Sequence, residues 1–262
     1  MVKYHFITYC TEDHKMFADY NAHTATNVGM FDTTQIYTPN DLDERFKIYN
    51  NHILNLKKGA GYWIWKPYVI LKKLLELDEG DILCYNDSKY IWLTDIRNLT
   101  TEVLSDKDIG IYYNRPSANI NFEKNWTKFD TYVIMNIDNN VFNSMYQSPQ
   151  IWAGFILLRK NFNTIRFISE WLTYVQDNRL STDSKSIFSN EFDDFREHRH
   201  DQSILSILSK KWNNKIHHFN QNHLLDMRNP TEISLIPPLL REKLTITSGA
   251  HLRNSFNSVL SR

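Results

Sequence analysis

Residues Gly59 to Lys89 read GAGYWIWKPYVILKKLLELDEGDILCYNDSK, where a proline-started amphipathic stretch feeds an apolar strand that stops at Asp87. In open α/β proteins ligands sit beyond the carboxyl ends of buried strands, so an aspartate there can grip a cation or a sugar phosphate. A turn or helix-cap aspartate fits Asp87-Ser88 equally well. Lys66 precedes Pro67 at the expected helix start, where backbone N–H groups and an ammonium together suit a phosphate; a solvated lysine is the alternative. Tyr62, Trp63 and Trp65 stand beside Gly59 and Gly61, a pattern that suits stacking on a base or sugar ring, although large aromatics more often serve the core. A second centre is His200-Asp201-Gln202, which opens a helix after a long polar run. Asp201 there can cap the helix or project a carboxylate into a cleft, and the Gln202 amide offers a donor and an acceptor for sugar hydroxyls.

Other chemistries are not written in the chain. The ten histidines lack HExxH or CxxC spacing, which argues against a structural zinc site, and no Walker loop, GxGxxG or GxSxG element occurs. Cys10 and Cys84 fall inside apolar strand-like runs and read as core thiols. Thirty basic and thirty acidic residues cancel, so no bulk field points to nucleic acid. MVKYHFITYC enters a strand directly and no long uncharged apolar run follows, which predicts no secretory signal, no transmembrane segment and a reducing, cytoplasmic setting.

The elements that must position these residues alternate along the chain. Strands are predicted at 3–10, 34–37, 81–85, 109–113 and 152–158, and helices near 12–22, 41–55, 67–77 and 164–176, with another starting at Asp201. Ile165, Ile168, Leu172 and Val175 form one apolar helical face, with Trp171 in the same core. Residues 177–199 lose periodicity and read as a long surface loop. The alternation is that of a doubly wound sheet in a chain of 262 residues, long enough to build its core without disulfides or structural metals.

FITYC, GAGYWIWKPYVILKKL, GDILCYNDSK, NWTKFD, IWAGFILLRKN, FISEWL and EHRHDQSILSIL follow in order from about residue 6 to residue 208. With these pieces the sequence resembles small bacterial and viral glycosyltransferases of the GT-A type, similar to capsular and lipopolysaccharide sugar transferases. The resemblance implies an α/β fold with one Rossmann-like domain over 1–262, about 1–115 holding the nucleotide and about 116–262 serving the acceptor. It implies a donor site drawn from Thr8, Tyr9, Trp63, Lys66, Tyr85, Asp87, Lys89, Trp152, Ala153 and Gly154, with small residues near Gly154 allowing close approach of the sugar. Asp201 and Gln202 are similar to the Asp-Gln pair beside the reacting sugar of related retaining transferases, and His198 and His200 would face the acceptor. Such enzymes carry a DxD motif that binds Mn²⁺ or Mg²⁺; here the place reads Asp87-Ser88-Lys89, so either Asp87 holds the metal with His251 or Lys89 itself neutralises part of the diphosphate. The implied partners are a nucleotide sugar, UDP-sugar favoured, and a glycan acceptor, leaving peripheral membrane contact open. Two other readings stand beside this one: a carbohydrate-binding protein that kept the fold without turnover, and a sugar nucleotidyltransferase, for which Thr11-Glu12-Asp13-His14 is a poor substitute for a Gly-rich basic loop.

Overall fold

Side chains alternate along the strands between two apolar layers, and this sets the architecture. Phe6, Ile82 and Cys84 join a core layer with Trp92, Tyr112 and Phe155, whereas Ile7, Leu83 and Tyr85 join an opposite layer with Val69, Ile70, Phe167 and Leu205. A sheet buried on both faces needs helices on each side. The computed structural model describes residues 1–113, 121–219 and 224–226. His251 lies outside the described residues.

The main sheet runs β2-β1-β3-β6-β5-β7, built from β1 (Tyr4–Tyr9), β2 (Thr33–Tyr37), β3 (Ile82–Asn86), β5 (Ile109–Tyr113), β6 (Ile151–Arg159) and β7 (Ile216–Phe219). A separate pair joins β4 (Tyr90–Trp92) to β8 (Leu224–Asp226). β1 is parallel to β2 and β3, and β5 to β7, while β6 runs antiparallel between β3 and β5. The α/β fold expected from the resemblance is therefore present, with a mixed central sheet. β2 and β3 flank β1, so the strand order reverses there, and the crevice beyond the carboxyl ends of β1 and β3 is where such sheets take ligands. Because β6 is antiparallel, with Asn86 opposite Phe155, its first residues arrive at that same end.

The helix expected near 67–77 spans Trp65–Glu76, with Pro67 tolerated in its first turn, where no intrahelical partner is lost. It packs against the Phe162–Val175 helix, whose Phe167, Ile168, Trp171 and Val175 are buried. The stretch expected as one helix over 41–55 is two, Glu44–Tyr49 and Asn51–Leu54. Asn50 interrupts it by donating its side-chain amide to the Phe46 carbonyl and to Gln176 Oε1, a local bond that competes with helix continuation. The aperiodic stretch before β6 holds three short helices, Glu123–Trp126, Phe129–Ile134 and Asn139–Tyr146. The polar run expected as a loop begins with a helical turn, Asn178–Ser181, and is tied to the body where Glu191 accepts from the Phe129 N–H at 2.8 Å and Asp130 from the Ile187 N–H at 3.0 Å. Cys84 is a core residue, as expected, and no described helix is long and apolar enough to cross a membrane.

Candidate active site

Asp87 is the first residue past β3, and the backbone fixes it there. Its N–H donates to the Gly154 carbonyl at 2.9 Å, Asn86 donates its amide to the same carbonyl at 2.9 Å, and Asn21 donates to the Asp87 carbonyl at 3.0 Å. Asn21 and Asn86 are both buried, so these bonds compete with little water. The Asp87 carboxylate keeps 24% exposure at the floor of a cleft.

Lys66 lies in the first turn of the Trp65–Glu76 helix, 4% exposed, with its Nζ 2.8 Å from Asp201 Oδ2 and 3.4 Å from Asp87 Oδ1. It joins the two carboxylates that the sequence presented as separate centres. Lys89 Nζ stands 3.8 Å from Asp87 Oδ2, and the Tyr85 hydroxyl donates to Asp87 Oδ1 at 2.9 Å. Burial opposes the Lys66 charge, but the Asp201 and Asp87 carboxylates outweigh it and its pKa is raised. Burial also opposes ionisation of Asp87, yet Lys66, Lys89 and the Tyr85 hydroxyl hold its pKa below the ordinary carboxylate value. For Asp201 burial wins over Lys66, and the neighbouring Asp87 charge adds to it, pushing the pKa up to about 6.

Asp201 opens the Asp201–Lys211 helix, with His200 as its N-cap. Its carbonyl accepts from Trp171 Nε1 at 3.1 Å, while its side chain turns to Lys66 as an ion pair. The helix is anchored through serines at a spacing of three: Ser203 donates to the Trp126 carbonyl at 2.6 Å, and Ser206 accepts the Ile151 N–H at 2.7 Å and donates to the buried Glu123. Gln202 donates to Gln150 Oε1 at 2.6 Å and accepts from the Ala153 N–H at 3.4 Å, so its amide is oriented by protein groups at both ends.

Two cavity lobes meet here. The larger, about 580 Å³, is lined only by residues between Tyr9 and Lys89, among them Thr11, Lys57, Trp65 and Tyr85. The smaller, about 260 Å³, brings Lys58, Lys66, Trp152, Ala153 and Gly154 together with the segment from Glu197 to Gln202. Trp63, Asp87 and Lys89 line both. The larger lobe has the size of an ordinary small-molecule site.

The turn that brings Gly59, Ala60 and Trp63 to the larger lobe is conformationally costly. Gly59 (φ 58°), Ala60 (49°), Gly61 (92°), Tyr62 (52°) and Trp63 (58°) form a continuous left-handed turn, which costs about 1–2 kcal/mol at each non-glycine residue. Gly61 needs its missing side chain, because a Cβ there would lie 2.6 Å from Leu54 Cα. His200 also has a positive φ (53°, with ψ −121°), and its ring stacks on Trp63 at 5.5 Å between centroids and meets Tyr62 edge-on at 4.7 Å. Strain gathered on facing walls of one cleft is a mark of a functional site.

Of the residues expected at the donor site, Trp63, Lys66, Tyr85, Asp87, Lys89, Trp152, Ala153 and Gly154 line one or both lobes. Tyr9 lines the larger lobe and stacks on Trp65 at 3.7 Å. Thr8 is fully buried in β1 and lines neither. The space that Gly154 leaves is filled by the Trp152 indole, 2.1 Å from where a Cβ would stand, so the glycine admits a neighbouring ring of the chain itself. His198 lines the smaller lobe, but its Nδ1 accepts from the Lys128 N–H at 3.3 Å and its Nε2 donates to the Leu180 carbonyl at 2.6 Å. That bonding fixes a neutral ring, and burial holds its pKa well below the usual histidine value. Burial, then the nearby Lys58 charge, lowers the His200 pKa to about 4, and its Nδ1 donates to the Ser181 carbonyl at 2.9 Å. Sequence reasoning missed Lys57 and Lys58, and missed Asp183, which binds Lys58 at 3.2 Å and accepts from the Tyr62 hydroxyl at 2.9 Å. No local pattern marks Asp183 within its polar run.

The donor set fits a divalent cation poorly. Both Asp87 oxygens already face ammonium groups, and no cluster of three His, Cys, Asp or Glu side chains occurs among the described residues.

No protein-family model and no curated protein matches the chain. Solved structures similar to it include mouse xyloside xylosyltransferase 1 (12% identity, 83% of this chain and 85% of that one, TM-score 0.43) and the bifunctional glycosyltransferase WbbM (10%, 94% and 44%, TM-score 0.48). A Bacillus anthracis chain reported as a glucose-1-phosphate thymidylyltransferase is also similar (8%, 92% and 99%, TM-score 0.41). The chain thus spans less than half of WbbM. At such identities, with TM-scores below 0.5, these likenesses do not say what this chain does.

Proposed function

We propose that this chain is a glycosyltransferase that moves a sugar from a nucleoside-diphosphate sugar to a hydroxyl of a glycan acceptor. The observation that carries the reading is the junction itself: Asp87 and Asp201, 114 positions apart in sequence, share the buried Lys66 where a larger and a smaller lobe meet. Lining of the larger lobe from residues 9–89 alone supports placing the nucleotide in the N-terminal half, about 1–115; UDP as its nucleotide belongs to the proposal on the resemblance alone. The smaller lobe, walled by Trp152, Ala153, Gly154 and the helix start at Asp201, then receives the sugar and the acceptor hydroxyl.

Transfer breaks the bond between the anomeric carbon and the diphosphate oxygen, whose electron pair leaves with the nucleoside diphosphate. A new bond forms from the acceptor oxygen to that carbon, and the acceptor proton is lost. Positive charge grows at the sugar ring and negative charge at the phosphate, so the site needs a carboxylate on one side and cations on the other. In this reading Asp201 faces the ring, stabilising its charge or taking the acceptor proton, and Gln202 helps fix the helix start that carries it. Asp87 holds Lys66 and Lys89 toward the diphosphate. Retention of anomeric configuration belongs to the proposal, on the likeness of Asp201-Gln202 to the pair in retaining transferases.

The test is a panel of UDP, GDP and dTDP sugars scored for thermal stabilisation, then for release of nucleoside diphosphate with mixed glycan acceptors present. A donor that stabilises the chain and is consumed supports the proposal. A donor that binds and is never consumed favours a carbohydrate-binding protein without turnover, and a panel that shifts nothing refutes the transferase reading.

A further inference from the structure

We infer that Lys66 and Lys89 take the place of a divalent cation in this site, so that the diphosphate is bound without metal; this rests on the transferase reading above. The basis is the occupancy of Asp87, the carboxylate just past β3 that lines both lobes. Asp87 Oδ1 accepts from the Tyr85 hydroxyl at 2.9 Å and faces Lys66 Nζ at 3.4 Å, while Oδ2 faces Lys89 Nζ at 3.8 Å. A magnesium ion needs carboxylate lone pairs at about 2.0–2.1 Å, inside the shell these ammonium groups occupy. Lys66 cannot make room by swinging away, because it is buried and its departure would strand the equally buried Asp201.

Position 89 is decisive because it lines both lobes, and its ammonium also lies 5.2 Å from the Tyr90 ring centre. A second aspartate there would supply the other carboxylate of a metal pair; a lysine supplies the positive charge directly. Lys57 lines the larger lobe, and Lys58, ion-paired to Asp183 at 3.2 Å, lines the smaller, so further lysines border the cleft. An ammonium neutralises phosphate charge as a compact, hydrated cation and needs no coordination shell from the protein.

The experiment is calorimetric titration of UDP, GDP and dTDP into the chain, once in EDTA and once in Mn²⁺, with Mn²⁺ alone titrated as a third arm. The expected result is that a nucleotide binds with the same affinity, to within about twofold, in both buffers, and that Mn²⁺ alone shows no site below about 1 mM. Lys89→Asp, folded by circular dichroism, loses about tenfold or more in EDTA, as expected for a removed charge-assisted contact, and recovers affinity when Mn²⁺ is added. Lys89→Gln loses affinity alike and gains no response to Mn²⁺. Binding by the unaltered chain that requires Mn²⁺ overturns the inference and leaves the transferase reading standing. So does undiminished binding by both Lys89 variants in EDTA. Failure of every nucleotide to bind in either buffer overturns both.

Discussion

Replacing Lys66 by methionine tests the junction most directly, because methionine keeps much of the apolar stem and removes only the charge. Asp87 Oδ1 and Asp201 Oδ2 stand at most about 6 Å apart, since Nζ lies 3.4 Å from one and 2.8 Å from the other. At an effective dielectric of about 20 their bare repulsion is about 3 kcal/mol, and removing one partner from a buried ion pair typically costs about 3–5 kcal/mol. The cost depends on pH, and the sign follows from the carboxylates. Asp201 already has a raised pKa of about 6 against an ordinary 3.8, so the stability its proton contributes is full below that ordinary value and is lost as pH climbs through the folded one. Without Lys66 the folded value climbs further and this loss extends upward in pH. Asp87 contributes in the opposite sense, through a lowered pKa whose stabilisation is present above 3.8 and is lost as pH falls; the variant forfeits part of that too. Both effects make the penalty grow with pH. Urea denaturation followed by tryptophan fluorescence should show Lys66→Met destabilised by about 3–5 kcal/mol at pH 8 and by clearly less, about 1–2 kcal/mol, at pH 5. At pH 8 this corresponds to a melting point lower by roughly 10 °C. Adding Asp201→Asn to Lys66→Met should restore part of the loss at pH 8. A penalty that is equal at the two pH values, or below about 1 kcal/mol at pH 8, refutes the bridge as the organising interaction of the site.

Asp201→Asn is expected to leave the fold intact and to cut sugar transfer by about a hundredfold or more, the scale of acid–base contributions, while erasing a rising limb near pH 6 in the rate profile of the unaltered chain; near-normal turnover removes Asp201 from the mechanism. Asp87→Ala is expected to weaken nucleotide-sugar binding, because Lys89 loses the carboxylate that anchors it while Lys66 stays held by Asp201; calorimetry showing unchanged affinity would contradict this. Ala60→Gly should stabilise the chain by about 0.5–1 kcal/mol, the relieved left-handed penalty less the extra backbone entropy of glycine, read as a small rise in melting point. Gly61→Ala should do the reverse, by about 2 kcal/mol or more, since its Cβ meets backbone at a positive φ; an unchanged melting point would show that the turn is not as described.

Local pattern carried a good part of the fold. A continuous apolar run at residues 82–85, an apolar face at Ile165, Ile168, Leu172 and Val175, and an aspartate right after a buried strand are each written within a few residues, so propensity and periodicity reach them. The helix expected over 41–55 went astray because Asn50 turns its amide both to the Phe46 carbonyl and to Gln176, and the second bond, 126 positions away, leaves no mark in a local window. Thr8 followed a matching motif into the candidate site, whereas the pleat of β1 turns it into the interior.

By itself the sequence determined that a sheet buried on both faces would form and that Asp87 and Asp201 would stand at element ends, because those outcomes depend on nearest neighbours and on a period of two or 3.6 residues. Only the tertiary structure decided that Lys66 joins the two carboxylates, that Asp201 rather than Asp87 carries the raised pKa, and that five consecutive residues from Gly59 to Trp63 hold a left-handed turn against His200. Charge strength and backbone strain depend on what lies a few ångströms away in space and on how much water remains there. Chain folding sets both, across separations that a linear reading does not span.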